Sequence, residues 1–276
     1  MTRAAAPESP ALLLVGCGKM GGALLAGWQE RRLAGRVFVV EPGTGAAPFA
    51  GKPGIALLTD AAALPGGFRP AVVVLAVKPQ GMPEVLPAYR RFAAEGALFL
   101  SIAAGKTLGF FARALGEEAA VVRAMPNTPA AIGRGIAVAC ANRRVRPEQR
   151  RIAEALLAAV GEVGWVEDES LIDAVTAVSG SGPAYVFLLI ECLAKAGVAV
   201  GLPEDLAARL ARATVAGSGE LARLSAESAA KLRENVTSPG GTTRAALDVL
   251  MGADGLEPLL RRAVLAAAKR SRELAD

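Results

Sequence analysis

Two glycine-rich stretches of the chain each precede a helical segment, where backbone amides can bind an anion. Residues 16–21 read G-x-G-x-x-G and lie between an apolar run and a helical segment. Residues 238–243 read SPGGTT and precede an Ala- and Leu-rich helical segment. Unpaired amides at the start of a helix attract phosphate and carboxylate groups. The first stretch therefore predicts an anion site. The second could hold a substrate carboxylate, but its residues alone favour plain Ser/Thr capping of a helix.

The first stretch has the sequence context of a dinucleotide-binding turn, because it follows a strand and opens a helix. Gly16 would allow the tight turn, Gly18 the close approach of a pyrophosphate, and Gly21 the packing of helix on strand. The alternative is an N-terminal signal segment with Cys17 as a lipid-attachment site. The apolar run before Cys17 is too short for that, and an acid and a proline precede it where basic residues are expected. The residues predicted to hold the pyrophosphate are Gly16, Gly18, Lys19, Met20 and Gly21.

Glu41 ends the second predicted strand, about 20 residues after the glycine-rich turn. An acid at this place hydrogen-bonds the ribose 2′-hydroxyl of NAD and repels a 2′-phosphate. Glu41 therefore favours NADH modestly over NADPH. The alternative is an ordinary loop acid before Pro42.

Two further loops follow predicted strands, at the edge where open α/β sheets bind ligands. Lys78, in the sequence AVKPQ, is explained equally well as a partner of the cofactor ribose and as a solvated lysine. The small residues of SIAAG suit a backbone that passes beneath a flat ring. The cofactor-side residues predicted here are Ala76, Val77, Lys78, Pro79, Ala103, Ala104 and Gly105.

The order of elements predicts an α/β domain followed by an all-α domain. Apolar runs without alternation indicate strands buried on both faces, which is typical of a doubly wound, mostly parallel sheet. Helices this apolar on several sides indicate a subunit interface in the second domain, 169–276. Residues 1–10 are predicted to be a leader. In the first domain, 11–168, the predicted strands are 11–15, 36–40, 71–77, 98–103, 121–124 and 136–141, with helices at 21–32, 108–115 and 147–160; the predicted helices of the second are 170–199, 204–224, 241–251 and 255–274.

The first of those later helices contains residues that are poor in a helix interior, namely Gly180, Gly182 and Pro183. Breaks of this kind occur at functional sites and at close helix crossings. A kink that serves packing alone is the alternative.

Composition limits the classes of function. The chain has 276 residues, 53% of them hydrophobic, and a formal charge of +5. No run of about 20 apolar residues lacks charges and Gly or Pro breaks. The three cysteines are scattered without metal spacing, histidine is absent, and the basic cluster at 143–151 has no interleaved aromatics. We therefore expect a cytoplasmic protein with no metal site, nucleic acid or membrane, whose proton transfer uses no histidine.

Six motifs together resemble the pyrroline-5-carboxylate reductase family. They are GCGKMGGA (16–23), AVKPQ (76–80), SIAAG (101–105), RAMPNTPA (123–130), DAVTAVSGSGPAYVF (173–187) and LRENVTSPGGTTRAAL (232–247). The resemblance runs from about residue 11 to residue 272 and implies a Rossmann domain with a helical dimerisation domain. It also implies homodimers that assemble further, up to a decamer, and reduction of L-1-pyrroline-5-carboxylate to L-proline by NAD(P)H.

The resemblance assigns roles to individual residues. Thr243 would hydrogen-bond the ring nitrogen of the substrate, and we take Thr243 and Lys78 as the predicted catalytic residues. The family often has His-Pro where this chain has Ser228-Ala229, so a role for that histidine is excluded here. The substrate carboxylate would lie on Ser238, Gly240, Gly241, Thr242 and Thr243, and the cofactor side would be lined by Lys78, Met125, Asn127, Thr128 and Pro129.

Two other interpretations stay open from the sequence. A β-hydroxyacid dehydrogenase or another imine reductase would use a helical lysine, for which Lys195 is the nearest candidate. A dinucleotide-sensing or nucleic-acid-binding module would use the basic surface, but it would leave the SPGGTT stretch without a role.

Overall fold

The computed structural model of the chain describes residues 10–274. Its internal contacts form two compact units. The described residues up to Gly180, together with those from Ala268 onward, make the first unit, and Ser181–Ala267 make the second. The predicted leader lies outside the described residues, apart from Pro10.

The first unit contains one sheet of eight strands in the order β3-β2-β1-β4-β5-β6-β7-β8. The first six strands in the chain run parallel to one another, as the unalternated apolar runs predicted. All side chains of β4 are buried, because helices cover both faces of the sheet. The strands are β1 (Ala11–Val15), β2 (Arg36–Val40), β3 (Ile55–Leu58), β4 (Val72–Leu75), β5 (Leu98–Ser101), β6 (Ala120–Met125), β7 (Gly135–Ala141) and β8 (Gly161–Trp165).

Strand β7 is antiparallel to β6, with Met125 opposite Val138, and β8 is parallel to β7. The connection from β6 to β7 holds only a short 3-10 helix, Thr128–Ile132. A parallel connection needs a dozen or more residues, so the chain reverses here instead. The sheet is therefore mostly parallel, with two reversed strands at one edge.

The two faces of the sheet carry separate apolar clusters. On one face Leu12 and Leu14 pack with Trp28 of the first helix. On the other, Leu13 packs with Phe92 and Phe111. The helices of this unit are α1 (Lys19–Glu30), α2 (Met82–Val85), α3 (Arg90–Ala94), α4 (Leu108–Leu115), α5 (Pro147–Ala158) and α6 (Leu171–Val175).

The structure corrects several predicted limits. Helix α1 begins at Lys19, two residues earlier than predicted, because Gly18 is its N-cap. Strand β4 ends at Leu75, so Ala76 and Val77 lie in the loop that follows it. The predicted helix 170–199 is interrupted by a π-helical turn, Thr176–Gly180.

The second unit is all helical, as predicted. Gly197 of α7 lies close to Ala207 of α8, since a Cβ added at Gly197 would be 3.1 Å from the Cβ of Ala207. Four consecutive apolar residues of α7, 186–189, are between 45 and 59% exposed. Consecutive helix residues are about 100° apart, so these four point to all sides of the helix. The helices are α7 (Gly182–Ala199), α8 (Glu204–Leu224), α9 (Ala229–Asn235), α10 (Thr242–Leu250) and α11 (Leu256–Glu273), whose last turns belong to the first unit.

One segment of the described residues, Leu171–Ala199, has the length and composition of a membrane-crossing helix, with a mean hydropathy of 1.5 over an 18-residue window. It contains the helix breakers noted above and three charged residues: Asp173, Glu191 and Lys195. A helix that is covered by another subunit has the same composition, so length and hydropathy alone do not distinguish the two.

Candidate active site

The three glycines of the β1–α1 turn meet different constraints. Gly16 has a φ of +85°, and a Cβ there would lie 2.8 Å from the Ala76 carbonyl oxygen. A Cβ on Gly21 would lie 2.5 Å from the Gly16 carbonyl oxygen. Both positions thus require glycine for the fold itself, in the two roles predicted from the sequence.

Gly18 differs from the other two glycines. Its φ of −69° is accessible to any residue, and a Cβ there would meet nothing within 4 Å. The protein itself therefore does not require glycine at this position, and the space beside it lies at the N-terminus of α1. This turn fits a dinucleotide pyrophosphate, because the open space adjoins free amides and the positive end of the helix dipole.

Glu41 follows β2 directly and reaches the same turn. Its carboxylate accepts hydrogen bonds from the Cys17 amide at 2.6 Å and from the Gly43 amide at 2.8 Å. The side chain therefore joins the glycine-rich turn to the loop after β2. Both of its carboxylate oxygens are used by backbone amides of the protein.

Cys17 is 1% exposed within the turn. Burial and the Glu41 carboxylate raise the pKa of the Cys17 thiol to about 11. The thiol is therefore protonated at neutral pH and serves as a small apolar side chain of the core.

The other predicted cofactor residues follow the carboxyl ends of neighbouring strands β4, β5 and β6. Lys78 is exposed beside the short 3-10 helix Pro79–Gly81. After β5, the Ser101 hydroxyl accepts a hydrogen bond from the Ala103 amide at 3.3 Å, and Asn127 follows β6. The sheet order thus brings the predicted residues of the first unit to one edge.

The C-terminal turn of α11 supports the loop after β5. Gly105 has a φ of +74°, and a Cβ there would lie 2.8 Å from the Leu274 carbonyl oxygen. The Ser271 hydroxyl donates a hydrogen bond to the Asp173 carboxylate at 2.6 Å and so holds this turn against α6. Residues far apart in the chain therefore fix the loop on which a nicotinamide ring was predicted to lie.

Alanine at Gly105 is expected to destabilise the protein more than alanine at Gly51, whose φ of +73° is almost the same. Both changes place a Cβ on a residue in the left-handed region, which lowers the stability of the protein by about 1–2 kcal/mol. Only Gly105→Ala adds a collision with backbone, because nothing lies within 4 Å of a Cβ at Gly51. We expect this collision to lower the free energy of unfolding of Gly105→Ala by a further amount of about 1–3 kcal/mol, the usual cost of overpacking, as measured by denaturant unfolding. An equal decrease in the free energy of unfolding for the two variants would show that the backbone at Leu274 moves away from the added Cβ at little cost.

An ion pair between a buried arginine and a partly exposed glutamate was not predicted. Arg123 on β6 has a side chain 4% exposed and donates to the Glu169 carboxylate at 2.7 Å. The same carboxylate oxygen accepts from the Leu108 amide at 2.8 Å, at the start of α4. Glu169 thus joins β6 to the helix that follows the loop. An arginine inside the apolar strand AVVRAM is the signal from which this pair could have been found.

The SPGGTT stretch lies in the second unit and leads into α10. Gly240 has a φ of +70°, and Gly241 is the N-cap of the helix without a side-chain capping bond. Thr243 is the second residue of α10 and is partly buried. Within residues 10–274, no hydroxyl of this stretch caps α10, so plain Ser/Thr capping does not explain its composition.

Two residues bear on the alternatives. Lys195, the candidate of the dehydrogenase interpretation, is exposed on α7. Ser228, where the family often has histidine, caps α9 by accepting from the Lys231 amide at 3.2 Å. This helix was not predicted, and the capping serine was its sequence signal.

Two family models match separate parts of the chain. The family model described as pyrroline-5-carboxylate reductase dimerisation matches residues 169–274. The model described as NADP oxidoreductase coenzyme F420-dependent matches residues 11–105. The pyrroline-5-carboxylate reductase of Pseudomonas aeruginosa is 40% identical over 271 residues, or 98% of both chains. That of Synechocystis is 46% identical over 203 residues, or 74% of both chains.

Solved structures are similar along almost the whole chain. A pyrroline-5-carboxylate reductase from Coxiella burnetii is 34% identical with a TM-score of 0.90, covering 98% of this chain and 100% of the other. The Plasmodium falciparum pyrroline carboxylate reductase with NADP bound is 29% identical with a TM-score of 0.81, over 98% and 100% of the two chains. The chain therefore belongs to the pyrroline-5-carboxylate reductase family and is an NAD(P)H-dependent oxidoreductase.

Proposed function

We propose that the chain carries out the reaction of its family with a division of roles between its two domains, at 11–168 and 169–276. The reaction is reduction of the C=N bond of L-1-pyrroline-5-carboxylate to L-proline, in which carbon C5 gains hydride and the nitrogen ends protonated. The observation that carries the proposal is Gly18 at the N-terminus of α1, where the fold does not require glycine and an added Cβ would face open space. A pyrophosphate needs such space beside the amides of a helix start.

The first domain holds the cofactor. The pyrophosphate lies on Gly16, Gly18, Lys19, Met20 and Gly21, and the adenosine ribose lies near Glu41. The loops after β4, β5 and β6 hold the nicotinamide end through Ala76, Val77, Lys78, Pro79, Ala103, Ala104, Gly105 and Asn127. When bound, the reduced nicotinamide supplies the hydride.

The second domain holds the substrate. Amides and hydroxyls of Ser238, Gly240, Gly241, Thr242 and Thr243 bind the carboxylate at the start of α10. The Thr243 hydroxyl hydrogen-bonds the ring nitrogen, and water is the proton source. Because an iminium is already electrophilic, positioning of the two molecules supplies most of the catalysis and no histidine is needed.

The cofactor preference follows from Glu41, whose charge opposes a 2′-phosphate. We expect Glu41→Gln to raise the ratio of kcat/KM for NADPH to that for NADH by about 10-fold, because the glutamine removes the charge that opposes the 2′-phosphate. It keeps one of the two oxygens that accept backbone amides, and loss of the other bond affects both cofactors alike. Steady-state rates with both cofactors measure the ratio. Glu30→Gln, at the far end of α1, is the matched control. An unchanged ratio in Glu41→Gln would show that Glu41 only braces the glycine-rich turn.

The direct test is the initial rate of pyrroline-5-carboxylate reduction with NADH and with NADPH, followed at the nicotinamide absorbance. Turnover with either cofactor supports the proposal, and faster turnover with NADH supports the role of Glu41. Cofactor binding without turnover would direct the search to other cyclic imines and to hydroxyacids, the substrates of the alternative interpretations.

The proposal also covers how subunits assemble and where the protein is located. The helical unit pairs two subunits, and the apolar side chains exposed on α7 and the match to the dimerisation model support this. Dimers assemble further, up to a decamer, in the cytoplasm and without nucleic acid or membrane. The segment Leu171–Ala199 then faces another subunit rather than lipid.

A further inference from the structure

The π-helical turn Thr176–Gly180 lies against the end of β6. Gly180 contacts the Met125 side chain so closely that a Cβ there would collide with its terminal methyl group. The Thr176 hydroxyl donates to the Ile172 carbonyl oxygen at 2.8 Å and closes the preceding turn. A π-turn carries one more residue than an α-helical turn, and such turns occur frequently at functional sites.

Ser179 in this turn meets the side-chain amide of Asn127. The Asn127 Oδ1 atom accepts from the Ile136 amide at 3.0 Å, and its Nδ2 atom lies 3.2 Å from the Ser179 Oγ atom. The first contact fixes the orientation of the amide, because a backbone N–H has to meet an oxygen. Nδ2 therefore donates and Ser179 Oγ accepts.

This orientation leaves the hydroxyl hydrogen of Ser179 available. A serine hydroxyl has one donor, and the contact with Asn127 uses only an acceptor lone pair. Among the described residues, no acceptor is recorded for that hydrogen, whereas Thr176 three residues earlier uses its own hydrogen in the turn. Ser179 is partly buried at the edge where β6 ends. Asn127 thus holds the hydroxyl oxygen, in a turn that packs on Met125 through Gly180.

We propose that the Ser179 hydroxyl donates a hydrogen bond to the carboxamide oxygen of the nicotinamide and so fixes the face of the ring that is presented to the substrate. This inference rests on the proposed function. The carboxamide is the polar group of the nicotinamide ring itself, and β6 adjoins the β5 loop on which the ring is proposed to lie. In the proposed function the substrate carboxylate is bound by the SPGGTT stretch. The carboxamide oxygen of the cofactor is therefore the acceptor left for the Ser179 hydroxyl.

Binding measurements test this role without catalysis. We expect Ser179→Ala to weaken NADH binding about five-fold, as fits the loss of one hydrogen bond. Binding of ADP-ribose, which lacks the nicotinamide, is expected to stay unchanged. Fluorescence titration measures the first and calorimetry the second. Ser181→Ala, two residues on, is the matched control.

The outcomes are distinct. Equal weakening of NADH and ADP-ribose would show a structural role and overturn the inference, and so would unchanged NADH binding. Failure of the unaltered protein to bind NADH would overturn the proposed function instead. If Ser179→Ala does not fold, the unaltered protein is titrated with the thionicotinamide analogue, whose sulfur is a weak acceptor. Equal affinity for this analogue and for NADH would then overturn the inference.

Discussion

Alanine at position 18 is expected to leave the protein folded and to weaken dinucleotide binding about 10- to 100-fold. The Gly18 backbone is accessible to alanine, and the added methyl group meets no atom within 4 Å apart from its chain neighbours. It occupies instead the space proposed for the pyrophosphate. Loss of glycine at an N-cap costs under about 1 kcal/mol, so unfolding is expected to change little. Titration with NADH and a thermal melt measure the two effects.

Gly21→Ala is the matched control for this result. A Cβ there would lie 2.5 Å from the Gly16 carbonyl oxygen, so we expect this variant to be clearly less stable than the unaltered protein in the thermal melt. The pair separates a glycine kept for a ligand from a glycine kept for the fold. If Gly18→Ala binds NADH as tightly as the unaltered protein, the pyrophosphate lies elsewhere.

Thr243→Ala is expected to lower kcat about 100-fold, comparable with the loss of one preorganised hydrogen bond to the reacting group. The side chain lies in the first turn of α10, in the second unit, whereas the proposed cofactor residues lie in the first. In the proposed mechanism this hydroxyl contacts the substrate and not the cofactor, so NADH affinity is expected to stay within about two-fold of the original. Steady-state rates with pyrroline-5-carboxylate and a separate NADH titration measure the two quantities.

Two further variants separate the hydroxyl of Thr243 from its shape. Thr243→Val keeps the branched shape and is expected to lose turnover like alanine. Thr243→Ser keeps the hydroxyl and is expected to retain most of the turnover. Full turnover in the valine variant would remove Thr243 from the mechanism.

Strands and helices with a clear apolar pattern and clear end signals were predictable from the sequence. Strand β2 and helix α4 have the predicted limits, since each is a compact apolar segment bounded by polar residues. Strands β3 and β8 were missed. The first has only four residues, and the second, GEVGW, contains two glycines and a glutamate that mask it.

The candidate site was predictable where function depends on local sequence. The glycine-rich turn and Glu41 follow strands whose carboxyl ends must meet at one edge, and the structure places them together. Contacts between distant segments were not predictable. The Leu274 carbonyl against Gly105 joins residues 169 positions apart, and no periodicity reports such a contact.

The apolar side chains around α7 have a consequence for measurements on this protein. Where subunits associate through such surfaces, dissociation exposes them to water, so mass action enters the observed stability. For a dimer that unfolds as it separates, each ten-fold dilution lowers the free energy of unfolding by about 1.4 kcal/mol. Melting temperatures of the variants above are therefore comparable only at one subunit concentration, and a dilution series of the unaltered protein provides the reference scale.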